Sequence, residues 1–197
     1  MRHFTRLAVA LAATVLALPA SAATIVFFTT MDGPSESPPV ASPGTGWARV
    51  TFDDLALTMR VQAVFDDLVG TTTVAHIHCC TAEPGAGTIG VATQPGTFLG
   101  WPVGVTSGSY DNTFDMSVAA SYTAAFLTAN GGTPAGALAG LLAGLEAGRG
   151  YFNVHSSFAP GGEIRGFLAR VPEPGSLILI GLGLVIVALA TRRRRSD

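Results

Sequence analysis

Residues 55–65 have the sequence Leu-Ala-Leu-Thr-Met-Arg-Val-Gln-Ala-Val-Phe, which carries the clearest pattern in the chain. Every second side chain from Leu55 to Phe65 is apolar, and Thr58, Arg60 and Gln62 lie between them. Because side chains alternate between the two faces of a β-strand, this spacing predicts a strand with one face in a core and one in water. Sheets with one wet face are normally antiparallel, so we expect an antiparallel sheet.

Other segments rich in β-branched and aromatic residues extend this expectation along the chain, and Gly or Pro turns separate most of them. The predicted strands are Thr24–Thr30, Ala48–Phe52, Val74–His78, Thr88–Ala92, Ser109–Val118, Tyr151–His155 and Glu163–Arg170. Seven or eight short strands of this kind predict an all-β domain, mainly an antiparallel β-sandwich.

A short helical insertion interrupts the strands. Ser121 is a candidate cap for a helix that ends near Asn130, and Thr133 and Pro134 suit the first positions of a second helix, which Gly148 would end. Four leucines of the second helix share one face, so we expect that face to pack on the sheet. They are Leu138, Leu141, Leu142 and Leu145.

The N-terminus predicts a secretory signal peptide over residues 1–22. Arg2 and Arg6 precede the apolar run Leu7–Leu18, and small residues follow as far as Ala22. About a dozen apolar residues are too few to span a bilayer comfortably, so we expect a signal helix that signal peptidase removes.

The C-terminus predicts a membrane-spanning tail over residues 171–197. Leu177–Ala190 contains no polar side chain, and four arginines follow it: Arg192, Arg193, Arg194 and Arg195. Positive residues stay on the cytoplasmic side of a transmembrane helix, so the β domain over residues 23–170 is expected outside.

The charge of the middle of the chain excludes one class of partner. Residues 23–172 hold five arginines, no lysine and eleven acidic residues, which gives a formal charge of −6. Binding to a nucleic-acid phosphate backbone needs the opposite sign, so we expect no nucleic-acid partner.

Three histidines are the candidates for chemistry. His76 and His78 lie two apart in one predicted strand and share a face, and His155 ends another predicted strand. Such a set is known from copper and zinc sites, although the same residues can instead form hydrogen bonds on a solvated face. Cys79 and Cys80 follow directly, and they could form a vicinal disulfide, bond to a second molecule, add soft ligands or remain inert thiols.

Four motifs in order resemble the CHRD (chordin) domain family. They are Pro38-Pro39-Val40, Ala75-His76-Ile77-His78, Tyr151-Phe152-Asn153-Val154-His155 and Gly161-Gly162-Glu163-Ile164-Arg165-Gly166. The resemblance covers nearly the whole region between the two ends and implies an extracellular all-β domain.

The tail resembles a PEP-CTERM sorting signal, because Val171, Pro172, Glu173 and Pro174 precede the apolar segment and the arginines. The resemblance implies a Gram-negative bacterium whose exosortase cleaves near the motif. The membrane would then be a transient partner, and the product would reach the cell surface or the exopolysaccharide matrix.

Three functions follow as hypotheses. The first is a non-enzymatic surface or matrix protein, and the second is a copper or zinc protein for redox chemistry or sequestration that uses His76, His78 and His155. The third is a polysaccharide-binding module in which Trp47, Trp101 and Tyr110 supply stacking faces. No hydrolase motif is present in the sequence.

Overall fold

The computed structural model describes residues 24–172 together with Gly181, Gly183 and Leu184. The predicted signal helix over residues 1–22 lies outside the described residues, and so does the predicted transmembrane helix over Leu177–Ala190 apart from those three positions. No helix within the described part of the chain is both long and apolar enough to cross a membrane.

Eight strands form one antiparallel sheet, which confirms the all-β class. The strands are β1 (Thr24–Asp32), β2 (Thr45–Asp53), β3 (Thr58–Asp66), β4 (Thr72–Cys79), β5 (Gly108–Asp115), β6 (Gly150–Ser156), β7 (Ile164–Phe167) and β8 (Ala169–Arg170). Their order is β4-β6-β7-β1-β2-β3-β5, and β8 pairs with β1. The sheet is continuous and curls around its own core, where the sequence predicted a sandwich of two sheets.

The alternating segment over residues 55–65 forms most of β3, although its two leucines do not belong to the strand. Leu55 and Leu57 are 64% and 40% exposed in the turn from β2. Asp53 closes that turn by accepting hydrogen bonds from the N–H groups of Leu55 and Ala56. Leu57 has a φ of 51°, so extended backbone begins only at Thr58. The apolar face that remains is buried: Met59, Val61, Ala63 and Phe65.

The connection between β4 and β5 joins the two ends of the curled sheet. Within it the Phe98 N–H donates to the carbonyl of Ala75 in β4, and the Phe98 ring lies 5.4 Å from that of Phe114 in β5. The same ring lies 5.6 Å from Phe152 in β6 and is fully buried. Phe98 therefore fills the space between the edge strands.

Three predicted strands differ from the structure. The strand predicted over Glu163–Arg170 is divided into β7 and β8, with Leu168 between them. Thr88–Ala92 is irregular and makes a single bridge, from Val91 to His78, because Gly85 and Gly87 hold positive φ angles just before it. The strand predicted over Ser109–Val118 ends at Asp115, which accepts a hydrogen bond from the Ser117 N–H and starts a turn.

The helical insertion has two helices, α1 (Ala124–Ala129) and α2 (Pro134–Glu146). Thr123, not Ser121, caps α1, and Ser121 belongs to a preceding 3₁₀ turn. Thr133 caps α2 as predicted, with Pro134 in its first turn. Leu141 and Leu145 are buried, and the other two leucines of the stripe pack against the core, which confirms the predicted face.

Replacing Phe98 with alanine should destabilise the domain by about 3–5 kcal/mol, because the fully buried ring joins both ends of the sheet. Denaturant unfolding measures this loss. Leu99→Ala is the matched control, since its side chain is 72% exposed and should change stability by less than about 0.5 kcal/mol. Equal effects of the two changes would show that Phe98 does not close the sheet.

Candidate metal centre

The three histidines share the outer face of two neighbouring strands. In β4 the alternate residues Ala75 and Ile77 face the core, so His76 and His78 face away from it. β6 pairs with β4 in antiparallel register, with His155 opposite Val74 and therefore diagonal to His76. The predicted strands and their pairing thus bring all three imidazoles together.

The imidazole rings form a tight, buried group. The ring centres of His76 and His78 are 4.6 Å apart, and those of His76 and His155 are 4.7 Å apart. The Nε2 atoms of His76 and His155 approach to 2.9 Å, and one possible ligand atom from each of the three residues lies within 4.8 Å of the others. Loops cover the group, so that each residue is at most 9% exposed.

Backbone carbonyls fix how each imidazole is oriented. Nδ1 of His76 lies 3.0 Å from the carbonyl oxygen of Gly96, and Nδ1 of His78 lies 2.6 Å from that of Ile89. Nδ1 of His155 lies 2.8 Å from the carbonyl oxygen of Pro160. A carbonyl only accepts hydrogen bonds, so Nδ1 must carry the proton of each neutral ring. Nε2 is therefore the unprotonated nitrogen of each ring.

Burial keeps the rings neutral. It lowers the pKa of His76 from its usual 6.5 to about 3 and that of His78 to about 4, with the neighbouring imidazoles adding to both shifts. Burial also lowers the pKa of His155. Nε2 of His78 is buried without a hydrogen-bond partner. Three neutral imidazoles whose possible ligand atoms lie within 4.8 Å of one another are a candidate ligand set for a cation.

A second group of buried polar residues adjoins the histidines. Tyr151 stacks on His78 with ring centres 4.6 Å apart. The Arg165 guanidinium lies over the Tyr151 ring, 4.8 Å from its centre. Arg165 Nε is 3.7 Å from Glu36 Oε2. Burial raises the Glu36 pKa to about 7 although Arg165 opposes the shift.

Two oxygen atoms of this second group lack partners. Oε1 of Glu36 and Oδ1 of Asn153 are buried without a hydrogen bond. Both belong to side chains that approach Gly162, where a Cβ would lie 2.6 Å from either oxygen. Together with Nε2 of His78, they are three of the four such atoms found in the described residues, so unsatisfied polarity is concentrated here. Glu36 gave no sequence signal, because it lies in a proline-rich loop far from the histidine motifs.

Glu163 and Arg165 do not pair with each other, although the sequence places them two apart. Glu163 accepts hydrogen bonds from the N–H groups of Val69 and Gly70 and from the hydroxyls of Ser42 and Ser156. Burial alone would raise its pKa, but these four bonds outweigh that effect and lower it. Glu163 thus binds backbone groups and anchors the strand end beside His155.

The two cysteines lie on the other side of β4. Their sulfurs are bonded to each other, which is the vicinal disulfide among the four alternatives. The disulfide packs against Gly144 of α2, where a Cβ would fall within 2.4 Å of both sulfurs. Cys79 faces the core while His78 faces outward, so the sulfurs are separate from the histidine group.

The aromatic residues proposed for sugar stacking divide into two groups. Trp101 and Tyr110 are 4% and 8% exposed and pack on each other in the core, so that part of the hypothesis is wrong. Trp47 is half-buried on the outer face of β2. Val171 and Pro172 of the sorting motif are described, whereas Glu173, Pro174 and Arg192–Arg195 lie outside the described residues.

The fold and the site define an all-β domain with a buried three-histidine cluster outside its core. The CHRD domain family model matches residues 27–168, so the chain belongs to the CHRD domain family. A PEP-CTERM protein-sorting motif matches residues 170–195. No curated protein and no solved structure matches the chain.

These matches confirm both resemblances seen in the sequence. The PEP-CTERM motif indicates an exported protein that is sorted through an exosortase, by way of the membrane, toward the surface of a Gram-negative cell. The β domain between the ends is the part that this route delivers.

Without metal, the folded protein should lose stability as the pH falls from about 6.5 to about 4. The unfolded histidines take up protons near their usual pKa of 6.5, whereas the folded ones, with lowered pKa values, do not. Each such histidine contributes roughly 1 kcal/mol per pH unit. The raised pKa of Glu36 acts in the opposite direction and offsets about one histidine.

Urea unfolding with a chelator across this pH range measures the slope. His155→Gln should make the slope shallower, and Glu36→Gln should make it steeper because the offset disappears. A slope that neither change alters would show that the buried cluster does not set the pH dependence.

Proposed function

We propose that this domain is a non-enzymatic surface or matrix protein that holds one copper or zinc ion through Nε2 of His76, His78 and His155. The observation that carries the proposal is that three buried imidazoles bring their possible ligand atoms within 4.8 Å of one another, while a carbonyl holds Nδ1 of each ring. Metal-binding histidines almost always donate their other N–H in this way.

The donor set favours copper and zinc over other ions. Imidazole suits zinc, copper and nickel, whereas calcium and magnesium require oxygen ligands. Two ligands of a tetrahedral zinc lie about 3.3 Å apart, given Zn–N distances of about 2.0–2.1 Å. The ligand atoms here fall between 2.9 Å and 4.8 Å, so small side-chain shifts would bring them into place.

The burial of the three histidines favours a site that holds a metal, as opposed to a site that catalyses a reaction. Each histidine is at most 9% exposed, and loops that supply the carbonyls of Gly96, Ile89 and Pro160 cover the rings. A catalytic metal needs an open position that a substrate can reach. The sorting motif supports a location outside the cytoplasm, because it indicates an exported protein.

Metal titration of the chelator-treated protein is the direct test. Copper and zinc should each bind with one ion per chain, and copper should bind more tightly. His76→Gln and His155→Gln should weaken binding by more than about 100-fold, which exceeds the usual effect of changing a residue that only contacts a metal ligand. Glutamine keeps the site neutral, so the metal-free fold should persist, which circular dichroism checks.

Thr113→Ala is a suitable control because this exposed residue lies on β5, at the other edge of the sheet. The Thr113→Ala variant should bind copper and zinc with the same affinity as the unchanged protein. If the unchanged protein binds metal weakly, and both histidine variants bind it equally well, the proposed metal function is wrong.

The affinity should also be nearly constant between about pH 7 and pH 5. Protons compete with metal only near the pKa of a ligand, and burial lowers the pKa of His76 to about 3 and of His78 to about 4. Isothermal titration at several pH values should show little proton release. An affinity that falls tenfold or more with a midpoint near pH 6.5 would mean that the ligands are ordinary exposed histidines.

A further inference from the structure

A second surface lies on the outer face of β1 and β2, next to the point where the chain leaves the domain. Phe28 and Trp47 stack there with ring centres 6.2 Å apart. They line a shallow groove with Val26, Arg49 and Val171, and we call these five residues the exit face. Phe28 is 40% exposed and Val171 is 42% exposed.

The fold does not require apolar residues on this face. The opposite faces of the same strands contribute side chains to the core, where Phe27, Ala48 and Val50 are fully buried. The outer face of such a sheet is normally polar. Arg49 is exposed and makes no ion pair with any residue between 24 and 172. Stacked aromatic rings beside an unpaired cation are characteristic of a binding surface.

The position of the sorting tail indicates what the exit face contacts. Val171 belongs to the exit face, its N–H donates to the carbonyl of Val26, and the apolar segment of the sorting tail begins at Leu177. Five extended residues after Pro172 span at most about 17 Å. While the tail is in the bilayer, the exit face is therefore held within that distance of the lipid headgroups.

We propose that the exit face docks on the membrane interface before the tail is cleaved. Tryptophan and other aromatic rings favour the headgroup level of a bilayer, which suits Trp47 and Phe28. Arg49 then meets the phosphate of an anionic lipid through charge-assisted hydrogen bonds.

Docking would hold the domain close to the bilayer, with the Pro172–Pro174 motif at the membrane surface where an exosortase acts. Two aromatic rings and one arginine form a weak anchor, because even a single fatty-acyl chain gives only marginal, reversible binding. The domain would therefore leave the membrane once its tail is removed.

Tryptophan fluorescence of the full chain in vesicles tests this proposal. Trp47 and Trp101 are the only tryptophans, so Trp101→Phe leaves Trp47 as the sole reporter and Trp47→Phe leaves the buried Trp101. Vesicles contain equal parts of phosphatidylcholine and phosphatidylglycerol, with bromine on the acyl carbons nearest the headgroup. The Trp47 reporter should lose most of its emission, and the Trp101 reporter should lose little.

Two further variants separate docking from tethering. Phe28→Ser in the Trp47-only chain should reduce the quenching, whereas Leu99→Ser, at a position that is 72% exposed elsewhere, should not. Equal quenching of both reporters, or quenching that Phe28→Ser leaves unchanged, would overturn the proposal. A Trp47 response to soluble polysaccharide without any response to vesicles would also overturn it and assign the face to sugar.

Discussion

Exclusion of water from the outer face of β4 and β6 is the constraint on which the site depends. A buried polar group must find its partner inside the protein, and three imidazoles bring six ring nitrogens into this space. The Nδ1 atoms are satisfied by three loop carbonyls, those of Gly96, Ile89 and Pro160. The same bonds fix the loops, and they leave the Nε2 atoms without a proton or a donor. The proposed copper or zinc ion would be the missing partner.

Two charged residues, Arg165 and Glu36, lie beside the histidines. Arg165 lies close enough to lower the pKa of His78, and as a positive group it opposes any ion that binds there. Glu36 balances Arg165 only while it is ionised, and burial raises its pKa to about 7. Arg165 favours the ionised form of Glu36, and burial opposes it. The charge state of Glu36 therefore depends on Arg165.

Local patterns were enough to predict most of the fold and the three histidines. Alternation in Leu55–Phe65 predicted β3, although its first two leucines lie in the turn, and the two-residue spacing of His76 and His78 predicted their common face. The turn at Leu57, the irregular segment over Thr88–Ala92 and the role of Glu36 were not predictable in this way. Each depends on backbone angles or on partners far along the chain, whereas a periodic pattern reports only which side of a strand is buried.

The end of the domain shows how the histidine cluster and the sorting tail coexist in one chain. Arg165 in β7 belongs to the buried polar group, and five residues later Arg170 in β8 still pairs with Phe27 of β1. The Val171 N–H makes the last described backbone bond, to the carbonyl of Val26. Pairing of β8 with β1 therefore closes the fold before the motif continues past Pro172. Cleavage beyond that point removes none of the contacts that hold the histidines, so the cluster can persist after the domain leaves the membrane.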